Sequence, residues 1–146
     1  MPQIIYCMHF KGTGLPSGPG GFKVTSSATS NHLDTTVDER GVSAAFHPAE
    51  GGMAYFESEV KVGDDGFLES GTIAFGETEH SLNFSTVGKG QMAPSPDPKV
   101  MAGTVVWRVD GGEGQFEGAT GLITSNFLFT DAGEVTDYHF GVIFVK

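Results

Sequence analysis

Glu69 is the side chain best placed to do chemistry. In the strand expected over residues 67–75 it shares a face with Phe67, Ile73 and Phe75. A carboxylate on an aromatic face is either paired with a cation or held protonated by desolvation, which makes it an acid or base near neutral pH. Asp137 and His139 alternate on one face of the expected last strand. They lie about 7 Å apart along it, near enough to couple but too far for a hydrogen bond set by the backbone alone. The competing reading puts both at solvent or at a subunit contact, since charged residues are mostly exposed. Asn126 interrupts the apolar face of Leu122 and Leu128, and Ser125 interrupts that of Ile123, Phe127 and Phe129. Either could hydrogen-bond a bound carbonyl or hydroxyl, or simply a neighbouring strand. The candidate catalytic groups are Glu69, His139 and Asn126.

Cys7 and His9 share a face of the expected first strand, so in a closed sheet His9 could approach His139. With Ser125, the aromatic residues Trp107, Phe127, Phe129, Tyr138 and Phe140 could line a cavity, although aromatics at strand spacing more often fill a core. A metal needs three or four converging ligands, and the chain has no His-x-His pair and no clustered spacing. No metal or other cofactor is expected. Cys7 as a nucleophile would need a positive, partly exposed environment, and a buried structural thiol is the simpler reading. Glu57 and Glu59 share a face with Tyr55 and Lys61, opposite Ala54, Phe56, Val60 and Val62, so these carboxylates should meet water.

The elements that must position these groups are strands. The 146 residues suffice for one domain, 1–146. Apolar residues alternate with period two throughout, and no stretch sustains helical spacing. The 22 Gly and 12 Phe suit short aromatic strands joined by glycine turns. Strands are expected over 3–11, 21–28, 41–47, 53–62, 67–75, 79–87, 101–109, 119–130 and 134–145. Hairpins are expected at Gly63-Asp64-Asp65-Gly66 and Asp131-Ala132-Gly133-Glu134. Residues 11–21, with five Gly and two Pro, read as a long irregular connection. Residues 31–40 fit a loop, a ragged edge strand or a helical turn. Three prolines make 88–100 a long loop, either a lid or an ordinary crossover.

So many strands must hide their edges, and an eight-stranded antiparallel β-barrel does so by closure. Residues 122–129 and 135–144 are apolar on both faces, which implies that the outside is covered too, in a small barrel commonly by another subunit. A net charge of −10 from 8 basic and 18 acidic residues excludes the phosphate-neutralising surface of a nucleic-acid binder and a polybasic membrane patch. One cysteine excludes an internal disulfide. No segment has the form of a signal peptide or an apolar span, so the default compartment is the cytoplasm.

The segment Thr104-Val105-Val106-Trp107-Arg108-Val109-Asp110-Gly111-Gly112-Glu113-Gly114-Gln115-Phe116-Glu117-Gly118-Ala119-Thr120-Gly121 carries a glycine turn anchored by a phenylalanine. Gly111, Gly112 and Gly114 permit positive φ, and Phe116 can plug the barrel end. A dinucleotide loop would need a helix next, and 119–130 reads as strand. The turn resembles that of plant allene oxide cyclases and, more loosely, of dirigent proteins, over about forty residues from Thr104 to Phe144. Ile5-Tyr6-Cys7-Met8-His9 weakly resembles their first strand. The glutamate and asparagine that position substrate or water in allene oxide cyclases are matched here by Cys7 and His9, so those roles do not carry over. The resemblance implies a β-barrel of allene oxide cyclase-like type, a homo-oligomer (trimer or dimer) and an apolar central cavity for a small lipophilic molecule. Such a chain is an isomerase or cyclase, or else a non-catalytic carrier or a dirigent-like protein that orients a reactive intermediate. Two or more inward titratable groups would favour the enzyme; none would disfavour it.

Overall fold

The computed structural model describes residues 2–77 and 79–146. The described residues are almost entirely strand: β1 (Gln3–Pro16), β2 (Gly21–Asp38), β3 (Gly41–Gly63), β4 (Gly66–Phe75), β5 (Ser81–Thr86), β6 (Gln91–Pro94), β7 (Val100–Glu113), β8 (Thr120–Thr130) and β9 (Glu134–Phe144), with one 3₁₀ turn at Gly114–Phe116. Among the described residues no helix is long and apolar enough to cross a membrane. Neighbouring strands are antiparallel in the order β5-β4-β3-β2-β1-β9-β8-β7-β6, and β5 also pairs with β7, closing the sheet into a ring. Eight strands complete that ring. The ninth, β6, follows β5 along the same edge of β7, with Gln91 opposite Thr104 and Pro94 opposite Met101.

Two expectations about connections change, and one open segment takes the strand alternative. The segment 11–21 is not a long loop, because β1 runs to Pro16 and pairs with β2 as far as Phe22, leaving only residues 17–20 as the turn. Residues 31–38 are strand, 39–40 form the turn, and 41–63 is one continuous strand. Past a register shift between Thr29 and Asn31, β2 and β3 continue as a two-stranded arm closed at Asp38 and Gly41. The segment 88–100 is not wholly loop, since β6 docks on β7 and Gly90 bridges to Phe67. Both sequence-marked hairpins form, with Gly63 opposite Gly66 and a tight turn at 131–133.

Closure of a small ring demands bends where strands pass close together, and glycines on the inner face allow them. A side chain at Gly12 would strike the backbone of Thr25, and one at Gly71 the backbone of Glu57. In the glycine turn, Gly111, Gly114, Gly118 and Gly121 take positive φ. Gly112 does not, contrary to the reading of its role. It is confined instead by the backbone of Ser81, which a Cβ would strike.

The ring interior is filled at one end by Phe10, Phe56, Ile73, Leu82, Phe84, Trp107, Ile123 and Ile143, all essentially inaccessible. Phe116 caps this end, buried with its ring 5.3 Å from that of Phe75. Phe116→Ala should therefore cost about 3 kcal/mol in a urea melt. A cost below about 0.5 kcal/mol, the scale of a surface change, would show that it is not a plug.

Candidate functional site

At the other end the interior is not filled. A cavity of about 230 Å³ is lined by Phe22, Val24, Val60, Val62, Phe67, Met92, Phe127, Phe129 and Val135, with Glu69 and Asp137 as its two charged residues. The strand pleat explains this lining. Phe67 and Glu69 share one face of β4, as do Val135 and Asp137 on β9, and closure turns both faces inward. Met92 comes from β6, so part of the segment expected as a loop lies at the cavity.

Glu69 and Asp137 stand on opposite walls, because β4 and β9 are four strands apart either way round the ring. Both are buried, at 8% and 5% exposure. The Ser58 hydroxyl donates to Glu69 Oε2 at 2.6 Å and the Trp107 indole N–H to Oε1 at 3.2 Å. The Thr86 hydroxyl, donating to the Glu69 carbonyl at 2.7 Å, fixes its backbone. Burial lifts the Glu69 carboxyl from 4.5 to about 7, against the Ser58 hydrogen bond and with added repulsion from Asp137. It thus holds and releases a proton near neutrality.

Asp137 accepts from the Ser125 hydroxyl at 2.6 Å and meets His139 Nε2 at 3.0 Å. The 7 Å rise along the strand therefore does not keep these side chains apart, since both lean toward each other on the inner face. Nor do they face solvent: His139 is wholly buried, stacked on Phe10 at 4.2 Å and edge-on to Trp107 at 5.0 Å. Its Nδ1 is buried without a partner. A proton there would be a stranded donor, so the ring is best satisfied by donating Nε2–H to Asp137. Tyr6 also points inward, over Gly141, where a side chain would collide with its ring. Its hydroxyl is buried without a partner, and burial, then the charge of Asp137, raise its pKa far above the ordinary phenol value.

Of the sequence-derived candidates, Glu69, Trp107, Ser125, Phe127, Phe129 and His139 face the interior, with Phe127 and Phe129 on the cavity itself. The others face outward. Asn126 lies on the outer face of β8 opposite Tyr138, and Phe140 is 48% exposed. Cys7 is half-buried on the outer face of β1, not in the core, its carbonyl accepting from Asn31 Nδ2 at 2.9 Å and its thiol pKa raised by burial. His9 does not reach His139, which lies opposite Met8 on the other face. It stacks instead on Tyr138 at 4.6 Å and contacts Phe46 of the arm at 5.5 Å, with its pKa lowered by burial and then by Lys11. Glu57 and Glu59 are exposed. The sequence reading missed Ser58 and the cavity wall residues Phe22, Val24 and Val135; their period-two alternation was legible, but which face closes inward was not.

Two larger concavities, about 610 and 790 Å³, are open recesses flanking the arm and hold no pair of buried carboxylates. Among the described residues no three His, Cys, Asp or Glu side chains converge as metal ligands would. All eight Lys and Arg side chains are exposed. Comparison with protein-family models, with curated proteins and with solved structures finds no match to this chain.

Proposed function

We propose that the ring is a β-barrel of the allene oxide cyclase-like type and that it binds a small hydrophobic molecule in its interior cavity, with Glu69 and Asp137 at the polar end of that molecule. The observation that carries this reading is the pair of buried carboxylates on opposite walls of an otherwise apolar cavity. Burial of two carboxylates is costly unless they serve something. The lining excludes sugars and other hydroxyl-rich ligands, whose polar groups would find few partners among Phe and Val. An isomerase or cyclase fits best: a group that holds its proton to about pH 7 faces a second carboxylate held by Ser125 and His139, so one can donate while the other accepts. The closed apolar wall would hold one ligand conformer. A carrier would need the cavity but not the raised acid. The outer face, with Ile5, Leu122, Phe140 and Phe144 exposed, supports a homo-oligomer.

Native mass spectrometry of the protein purified from its own cells tests the binding reading. The expected spectrum shows a dimer or trimer with a small-molecule adduct lost on collisional activation. Phe127→Trp, which fills the cavity, should remove the adduct. An adduct that survives this change would place binding elsewhere, and a bare monomer that also takes up no small aromatic probe would contradict the reading.

A further inference from the structure

The chemistry of the cavity narrows the ligand further, on the premise that the cavity binds a small hydrophobic molecule. We propose that this ligand is a small hydrophobic amine bound as its ammonium ion, with the nitrogen between the carboxylates of Glu69 and Asp137 and the apolar body among Phe67, Phe127 and Phe129.

Charge comes first. The two acidic groups lie on opposite walls, and every Lys and Arg side chain is exposed outside the ring. An anionic ligand would meet two buried acids and no cation. An ammonium group between them would offset the desolvation of both carboxylates at once. Hydrogen-bonding capacity agrees. A carboxylate offers about four lone-pair directions, and Glu69 and Asp137 each receive two side-chain contacts, from Ser58 and Trp107 and from Ser125 and His139. Acceptor capacity therefore remains for an N–H donor. Once Glu69 is charged, a ligand carbonyl or ether would find acceptors where it needs donors.

The walls fit the same guest. Phe22, Phe67, Phe127 and Phe129 line the cavity, and phenyl faces attract a desolvated cation as well as covering its hydrocarbon part. The space of about 230 Å³ equals the liquid volume of about eight waters. That suits an amine with a single ring or a short chain and rejects one of drug size.

Titration of the site should follow Glu69. The titratable groups around it are Asp137 and His139 on β9 and Tyr6 on β1; Ser58, Trp107 and Ser125 contribute only neutral hydrogen bonds. With its carboxyl near 7, Glu69 is mostly protonated at pH 6 and mostly charged at pH 8. Ammonium affinity should therefore rise about tenfold over that interval, while a neutral ligand gains nothing.

Calorimetric titration with benzylammonium, benzyl alcohol and benzoate tests this directly, because the three share a ring and differ in charge. At pH 8 benzylammonium should bind at least about tenfold more tightly than benzyl alcohol, a margin typical of a charge-assisted hydrogen bond, and benzoate should not bind. Glu69→Gln should lower benzylammonium affinity about tenfold, a larger loss than benzyl alcohol shows, and abolish the pH dependence. If that variant does not fold, the comparison of the three ligands on the native protein still decides. Benzyl alcohol binding as tightly as benzylammonium would overturn the ammonium proposal and leave the hydrophobic cavity standing. Failure of all three to bind, or binding unaffected by Phe127→Trp, would overturn the cavity reading with it.

Discussion

Trp107→Ala is expected to lower stability by about 3–5 kcal/mol, the range for emptying a fully buried aromatic site. Trp107 has no exposed surface. Its ring centroid lies 4.4 Å from that of Phe84 and 5.4 Å from that of Phe56, and these three rings with Phe10 form the floor beneath the cavity. The loss has two parts. One is the void left among residues that β-strand backbones hold in place and that cannot collapse to fill it. The other is the donor taken from Glu69 Oε1, which leaves a buried carboxylate with one side-chain hydrogen bond instead of two. Trp107→Phe separates them, since it fills most of the void and restores no donor. Urea melts of both variants should place Trp107→Phe between the native protein and Trp107→Ala. A cost for Trp107→Ala below about 1 kcal/mol would mean that the ring is not packed as described.

Glu69→Gln is expected to flatten the dependence of stability on pH. The folded-state carboxyl titrates near 7 and the unfolded one near 4.5, so the folded state binds its proton more tightly. Below pH 4.5 the group is protonated in both states and burial of its charge costs nothing. Between pH 4.5 and 7 the unfolded chain releases this proton while the folded state keeps it, so stability falls across that window, and above 7 the native protein has lost about 3 kcal/mol relative to the variant. The amide introduced by Glu69→Gln keeps the size of the side chain and one acceptor oxygen. Urea melts of both proteins at pH 4.5 and pH 8 should show the native protein falling by about that much more than the variant. Parallel pH dependence in the two would mean that Glu69 is not desolvated. Because the comparison is between proteins, the general repulsion of a chain with net charge −10 cancels.

The sequence made Glu69 legible because every large residue on its face of β4 is apolar, which leaves no reading of that face as solvent-exposed. Asp137 and His139 were legible as a pair by their parity. Their direction was not, because β8 and β9 are apolar on both faces: Leu122, Leu128, Phe140 and Phe144 on the outside mirror Ile123, Phe127, Val135 and Ile143 on the inside. Period-two alternation fixes which residues share a face but not which face closes inward. Asn126, Tyr138 and Phe140 fall under that ambiguity and lie outside. The arm was legible only in part, with 41–47 expected as strand and 31–40 left open, for a different reason. Its strands carry Asp34, Asp38, Pro48 and several glycines, residues depleted in sheets. Pairing across the arm, as between Val37 and Val42, is what makes it a ribbon. The contact of Trp107 with Glu69 joins strands distant in sequence, depends on ring closure and has no local signal, whereas Ser58 meets Glu69 across the β3–β4 hairpin.

The most direct measurement of ligand binding inside the ring is methyl NMR of valine-labelled protein titrated with benzylammonium. The methyl resonances of Val24, Val60, Val62 and Val135, which line the cavity, should shift together and saturate at a single affinity, while those of Val37 and Val42 on the arm stay fixed. Shifts confined to the arm, or spread evenly over the protein without saturation, would contradict binding in the interior cavity.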